Sequence, residues 1–222
     1  MSIEIITTSD GSHSLLNTAL DETYHSRHGA VQESIHVFIK EGLDHLLTLK
    51  SSKSISILEV GFGTGLNALL TVQRAMEIPA SIHYTSLETY PVPEDIWSKL
   101  NYIDAVGLKE KFDQLHRAAW NQEVEILPNF TLQKLTTPLQ QIDFSNRFDL
   151  IYFDAFAPNK QPEMWELPVL ERVIKSMHAR SIFVTYCAKG QLKRDLKSLG
   201  LTVETLAGPP GKKEMVRGIK ES

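Results

Sequence analysis

The segment Ile55-Ser56-Ile57-Leu58-Glu59-Val60 runs directly into alternating glycines at Gly61, Gly63 and Gly65, and then into an apolar-periodic stretch from Leu66 to Met76. A second short apolar run follows, Ile82-His83-Tyr84-Thr85-Ser86-Leu87-Glu88, so the four pieces read as one βαβ unit. Parallel strands cannot be joined by a tight turn, and this unit therefore commits the chain to a parallel sheet with a helical layer. The alternation continues with helical segments from Pro93 to Val106 and from Leu108 to Ala119, strands from Phe130 to Leu135 and from Phe148 to Phe153, a helix from Met164 to Met177 and a strand from Ser181 to Tyr186. The last two strand-like runs, Leu201 to Leu206 and Glu214 to Ile219, are separated only by Ala207-Gly208-Pro209-Pro210-Gly211-Lys212-Lys213. So short a link makes an antiparallel hairpin. The expected fold is α/β: a seven-stranded, mostly parallel sheet that ends in this hairpin.

Ahead of the sheet, the runs from Ile3 to Thr7 and from Ser12 to Leu16 flank Asp10-Gly11, a pair suited to a tight hairpin turn. Apolar residues recur at three and four positions from Leu15 to Tyr24 and again from Gln32 to Leu49, notably Ile35, Phe38, Ile39, Leu43, Leu46 and Leu47, which predicts two helices. Residues 1–50 are expected as an N-terminal appendage of β-hairpin and helices packed on a core of residues 51–222. No linker, repeat or low-complexity stretch divides the two, so they are expected to share one structural domain.

A chain of 222 residues with 42% hydrophobic and 23% charged residues suits a soluble α/β enzyme. Its single cysteine, Cys187, forms no intrachain disulfide, and Met1-Ser2-Ile3-Glu4 lacks the basic and apolar regions of a secretory signal, which points to the cytoplasm. No apolar run approaches the about 20 residues of a spanning helix, so no membrane partner is expected. The net charge of −4 excludes an all-round basic coat but leaves room for a local basic face drawn from the 23 Lys and Arg. His25, His28, His36 and His45 are scattered without ligand spacing, and no metal site is expected.

The glycines mark where a ligand is expected, because they let the backbone turn sharply and approach a bound group without side-chain obstruction. A dinucleotide loop would carry its third glycine at the position of Leu66, and no Lys-Ser/Thr ending makes this a P-loop. Glu59 would repel a pyrophosphate yet attract the amino group or sulfonium of S-adenosylmethionine. Glu88, at the end of the neighbouring strand, is placed to accept the hydroxyls of an adenosine ribose. A second centre follows the almost wholly apolar strand ending at Phe153: Asp154-Ala155-Phe156-Ala157-Pro158-Asn159-Lys160-Gln161-Pro162-Glu163-Met164-Trp165 puts a carboxylate at a strand exit and then a proline-stiffened aromatic loop. A helix cap is the structural alternative for Asp154, as core anchoring is for Trp165.

Taken together these segments resemble the class I S-adenosylmethionine-dependent methyltransferases, whose Rossmann-like sheet ends in the same antiparallel hairpin. Leu58-Glu59-Val60-Gly61-Phe62-Gly63-Thr64-Gly65-Leu66-Asn67, Leu87-Glu88-Thr89-Tyr90-Pro91 and the Asp154 to Trp165 segment are similar to the methyltransferase half of the MnmC-type tRNA-modifying enzymes. Tyr24, Gly29, Glu33, Val37-Phe38 and Gly211-Lys212-Lys213-Glu214-Met215 extend the resemblance along nearly the whole chain. It implies methylation of the exocyclic amine of 5-aminomethyl-2-thiouridine at the tRNA wobble position. It also implies S-adenosyl-L-methionine as donor, S-adenosyl-L-homocysteine as product, and a stand-alone enzyme without flavin or obligate protein partner. The implied cofactor residues are Glu33, Glu59, Gly61, Gly63, Gly65, Asn67 and Glu88. One departure stands out: many relatives end the third strand in Gly-Asp, whereas this chain reads Gln133-Lys134-Leu135-Thr136-Thr137.

Methyl transfer to nitrogen needs a neutral amine held in line with the donor and shielded from water. Asp154 is the expected catalytic residue, as an orienting acceptor or a base for the amine's proton. Phe156 and Trp165 are expected to wall the extruded base of the tRNA anticodon region, Pro158 to fix the loop, Tyr186 to face the same space, and Lys212 and Lys213 to meet RNA backbone. A methyltransferase for a small-molecule or protein amine, and a non-catalytic RNA-binding scaffold, are the alternative readings.

Overall fold

The computed structural model describes residues 3–221. The chain opens with β1 (Ile3–Thr7), β2 (His13–Asn17) and β3 (Glu22–Thr23), a three-stranded antiparallel sheet in that order. The expected hairpin is there, but the helix expected from Leu15 to Tyr24 is not: Leu15 and Leu16 lie in β2. Asn17 decides the outcome, since its Oδ1 accepts the backbone N–H groups of Ala19 and Leu20 at 3.1 and 3.2 Å and turns the chain where a helix would have continued.

Residues 30–49 then form one helical rod, α1, whose middle part Ile35–Asp44 is widened to π-type bonding. Of the stripe predicted from Gln32 to Leu49, Phe38, Ile39, Leu43 and Leu46 are buried together with Val37, whereas Ile35 is exposed on the other side of the rod. Gly42 lets the rod settle closely on the main sheet, because a Cβ there would meet Val184 and Tyr152 side chains at 3.1 and 3.2 Å.

The rest of the chain runs β4 (Ser54–Val60), α2 (Leu66–Ala75), β5 (Ser81–Leu87), α3 (Glu94–Trp97), α4 (Tyr102–Val106), α5 (Lys109–Arg117), β6 (Glu123–Leu127), β7 (Phe130–Leu135), β8 (Phe148–Phe153), α6 (Leu167–Ser176), β9 (Met177–Thr185), α7 (Gly190–Ser198), β10 (Thr202–Ala207) and β11 (Glu214–Lys220). The helix expected from Pro93 to Val106 is split into α3 and α4 around Asn101. That side chain is committed to the N-terminal hairpin, donating to Gly11 O at 2.9 Å and accepting from His13 N at 2.6 Å.

The strands form one sheet in the order β10-β11-β9-β8-β4-β5-β7-β6. β9, β8, β4, β5 and β7 run parallel, and β11 with β10 returns antiparallel as expected. The expected seven strands gain an eighth, β6, antiparallel to β7 at the edge. Its Glu123 and Glu125 face water and Ile126 faces the core, a one-sided pattern that gives a weak signal in sequence. β8 shows why its run is unbroken: Leu150 and Tyr152 pack with α1 and α2, while Ile151 and Phe153 pack with α6 and α7. From β4 the chain builds first toward β5 and β7 and then, with β8, on the other side. The strand ends at β4, β5 and β8 therefore open a crevice at a topological switch point.

Candidate active site

A cavity of about 930 Å³ occupies this crevice, bounded by the loops after β4, β5, β7 and β8 and by the segment that follows β3. The loop after β4 is built for close approach. Gly61, Gly63 and Gly65 all have positive φ, and a Cβ on Gly61 would stand 3.0 Å from the carbonyl oxygen of Asp154. Gly63 N donates to Glu88 Oε2 at 3.1 Å, while Tyr90 N donates to Oε1 at 2.8 Å. These bonds fix Glu88 at the cavity wall. Burial holds its carboxyl above the ordinary range, against the lowering effect of the backbone donors from Tyr90, Gly63 and Thr89.

Beyond the loop, Thr136 to Gln140 line the part of the cavity where an acidic Gly-Asp pair is missing. Thr136 is pinned by Asn121, whose Oδ1 accepts its backbone N–H at 3.2 Å. A bare glycine backbone, a strand-end carboxylate and a far wall without a cation fit a nucleoside with a cationic tail. They do not fit a pyrophosphate, which the carboxylates would repel.

At the other end, Asp154 emerges from β8 into the cavity and accepts a hydrogen bond from Asn67 Nδ2 at 2.8 Å. Glu33, from α1, lies near it and is fixed twice: Ser26 N donates to Oε2 at 2.7 Å and Lys212 Nζ to Oε1 at 2.5 Å. Lys212 Nζ also sits 3.8 Å from the ring centroid of Tyr186, and the Tyr186 hydroxyl donates to Ala155 O at 2.9 Å. Burial raises the Asp154 carboxyl to about 7, reinforced by Glu33 and opposed by Asn67 and Lys212. Phe156 meets Tyr24 edge-to-face, with centroids 5.0 Å apart, and Tyr24 lies over Gly63. This aromatic pair stands at the waist between the two ends of the cavity.

The structure thus brings together Glu33, Gly61, Gly63, Asn67, Glu88, Asp154, Phe156, Tyr186 and Lys212 around one space. Gly65 lies behind it and closes the helix start: a Cβ there would meet His116 at 2.8 Å. Four expected positions fall elsewhere. Glu59 is wholly buried below the loop and turns to Ser86, whose hydroxyl donates to Oε2 at 2.6 Å, so its carboxyl does not line the cavity. Trp165 is also buried; its indole N–H donates to Phe156 O at 2.8 Å and its ring packs on Phe153, so it anchors the loop from behind. Pro158 is half-buried within the same loop, away from the cavity wall, and Lys213 is exposed outside it.

Two lining residues had no signal of their own in the sequence. His25 is buried with Nε2 2.7 Å from Thr64 Oγ1, and burial lowers its pKa to about 4, so it is neutral and supports the glycine loop. Tyr24 entered only through resemblance, and burial together with Glu88 pushes its hydroxyl up to about 12. Both follow a two-residue strand too short to show a period.

Residues 106–221 match the model of a family described as S-adenosyl-L-methionine-dependent methyltransferase. Among curated proteins, the chain is 32% identical to the tRNA 5-methylaminomethyl-2-thiouridine biosynthesis bifunctional protein MnmC of Idiomarina loihiensis, over 91% of this chain and 36% of that protein. It is 28% identical to the protein of that name from Nitrosospira multiformis, over 92% of this chain and 35% of the relative. The chain therefore spans about a third of the length of these relatives. Among solved structures, MNMC2 from Aquifex aeolicus superposes with a TM-score of 0.83 at 24% identity, covering 100% of this chain and 71% of that one. Spermidine synthase from Thermotoga maritima shares the fold with a TM-score of 0.58 at 9% identity, over 100% and 80% of the two chains.

Proposed function

The chain belongs to the S-adenosyl-L-methionine-dependent methyltransferases, the family whose model spans its residues 106–221, and we propose that it N-methylates the exocyclic amine of 5-aminomethyl-(2-thio)uridine at the tRNA wobble position. The observation that carries this reading is Asp154: a carboxylate in the cavity wall, beside a second acid and under an aromatic waist, is a seat for an alkylammonium. The relatives named for 5-methylaminomethyl-2-thiouridine biosynthesis support the choice of amine.

When bound, S-adenosyl-L-methionine supplies an electrophilic sulfonium methyl and leaves as S-adenosyl-L-homocysteine. The glycine loop and Glu88 would hold its nucleoside end, with Glu33 and Asn67 toward the reacting end. The residues around Asp154 prepare the acceptor. An alkylamine near pH 7 is mostly protonated, so Asp154 binds it as a cation, orients it and takes one N–H proton, which frees the nitrogen lone pair for the methyl group. A carboxyl near 7 stands much closer to an amine than an ordinary Asp does, and this makes proton transfer less uphill. Asn67 presents one fixed N–H to Asp154 and so sets the direction of its free lone pairs. Tyr24 and Phe156 exclude water at the waist and offer ring faces to an extruded base. Lys213, exposed outside the cavity, faces RNA phosphates, with Pro158 and the anchored Trp165 shaping the loop after Asp154; Lys212, also expected on RNA, is instead committed to Glu33 and the Tyr186 ring.

The test is direct. Purified protein is incubated with S-adenosyl-L-methionine and tRNA carrying the unmethylated aminomethyl group, and nucleosides are read by mass spectrometry. A gain of one methyl on the wobble nucleoside is expected; no gain, with methylation of a free small amine instead, overturns the tRNA reading.

A further inference from the structure

The glycine loop from Gly61 to Gly65 offers only two side chains, Phe62 and Thr64, by which the rest of the protein can hold it. Three positive φ values give the loop its shape, and Glu88 fixes its front through Gly63 N. Behind it, the attachments of Phe62 and of the Thr64 carbonyl converge on one residue of β7, Lys134. This lysine is 1% exposed. Its Nζ donates to His116 O at 2.6 Å, and it stands over two aromatic rings, 5.0 Å from the centroid of Phe62 and 4.5 Å from that of Trp120. A backbone bridge between Trp120 and Lys134 sets the second ring in place. Burying an ammonium is costly unless its charge is met. Here a carbonyl in the last turn of α5 and two ring faces meet it.

His116 makes the second route to the loop. Its Nε2 lies 3.1 Å from Thr64 O, and burial lowers the ring to about 3, so it is neutral and its Nε2–H is the donor. The ring is stacked on Trp97 at 4.5 Å and meets Phe62 edge-to-face at 5.2 Å. Lys134 thus reaches the loop twice: directly through the Phe62 ring, and through the residue that binds Thr64 O. Across the sheet it shares a row with Ser86 of β5 and Glu59 of β4, but the Ser86 hydroxyl donates to Glu59. The titratable groups around the ammonium are therefore the neutral His116 from α5 and, two strands away, a Glu59 turned to Ser86. Burial, with no charge opposing it, lowers Lys134 to about 8.

We propose that Lys134 is a positioning residue for the methyl donor: its ammonium pins Phe62 and His116, and through them keeps the glycine loop seated with its peptide face open to the adenosine end of the cofactor. Lys134 does not line the cavity, so it acts through the loop. Turn geometry shapes the cradle, and the buried cation keeps it in place. The inference rests on the reading that this loop takes the nucleoside of S-adenosyl-L-methionine, and no part of it depends on the acceptor.

Calorimetric titration of the full chain with S-adenosyl-L-homocysteine, in the absence of tRNA, tests it. Lys134→Met keeps the length and the apolar stem but removes the charge, and is expected to weaken binding about tenfold. KM for S-adenosyl-L-methionine is expected to rise by a similar factor, while kcat at saturating donor stays within about threefold of wild type. A folded Lys134→Met protein that binds as tightly as wild type overturns the proposal, as does one whose kcat falls with KM unchanged. A pH series gives a readout that packing alone would not move. Wild-type affinity is expected to fall, relative to that of Lys134→Met, as pH rises through about 8, and parallel curves overturn the proposal. Should Lys134→Met fail to fold, Trp120→Leu removes one face of the cage outside the cavity lining and is expected to weaken binding about threefold. Unchanged affinity in that variant overturns the proposal. A wild type that binds no S-adenosyl-L-homocysteine overturns the donor reading and this inference with it. A wild type that binds it, shows the lysine effect and methylates no tRNA sinks the acceptor reading alone.

Discussion

One end of the cavity is made of backbone, and the other of side chains from distant parts of the chain. Around Gly61 and Gly63 the wall is peptide, and its one carboxylate, Glu88, is held by two N–H groups from its own neighbourhood. Around Asp154 the wall needs Asn67 from α2, Glu33 from α1, Lys212 from the β10–β11 turn and Tyr186 after β9. A backbone cradle is set by local turn geometry and carries little charge. A charged cluster is set by tertiary packing, and each member moves the protonation of the others. Binding and chemistry are therefore expected to fail separately.

The largest test of that separation is Asp154→Ala. Turnover is expected to fall about 10³-fold, whereas S-adenosyl-L-homocysteine affinity by calorimetry stays within about threefold. An equal loss of both would merge the two ends. The same residue gives a pH signature. Asp154 must be ionised to bind an ammonium, so kcat/KM for tRNA is expected to fall as pH drops through about 7. Stability runs the other way. The folded pKa lies above the unfolded value near 3.8, so the native state holds the extra proton between the two and stability declines as pH rises from about 4 to about 7. Asp154→Asn removes this slope, and discounted for partial exposure the difference at pH 8 is about 2 kcal/mol in urea unfolding.

Gly61→Ala probes the seam between the ends, since its Cβ would press on the Asp154 carbonyl at 3.0 Å while φ stays at 92°. A loss of about 2 kcal/mol in stability, with weakened cofactor binding as well as turnover, is expected. Unchanged cofactor affinity would mean that this glycine serves only the Asp154 side. The smallest effect is reserved for the rim: Lys213→Ala should reduce the salt slope of tRNA binding by about 1 and leave S-adenosyl-L-homocysteine binding as it is. A slope identical to wild type would take Lys213 out of the RNA contact.

The same division explains what could be read before any coordinates. The sheet, the switch point, the glycine loop and Glu88 are contiguous patterns, with strand period, turn residues and strand ends in order, and residue identity fixes them locally. The position of Asp154 was legible for the same reason, as an acid at the exit of an almost wholly apolar strand. Glu33 and Lys212 form an ion pair across 179 positions; the hairpin topology put Lys212 at the edge of Asp154, but only resemblance pointed to Glu33, and nothing pointed to their pairing. Glu59 and Trp165 were misplaced because a strand-end acid and an aromatic after a loop look alike whether they face a cavity or the core. Only packing gives Glu59 to Ser86 and turns the Trp165 N–H onto Phe156 O. His25 gave no sign of its place, since its ring contacts, Thr64 and Tyr102, lie far along the chain.

The bond between Glu33 and Lys212 also sets an order of events during synthesis. A nascent chain exposes Glu33 early, then the glycine loop, Glu88 and Asp154, all before Lys212 has been translated. Until the β10–β11 turn arrives, Glu33 has no cation to face, and Asp154 stands beside an unpaired acid that raises its affinity for a proton. The proposed amine seat is thus closed only when the β10–β11 turn has packed against α1, after every other member of the cluster has been made.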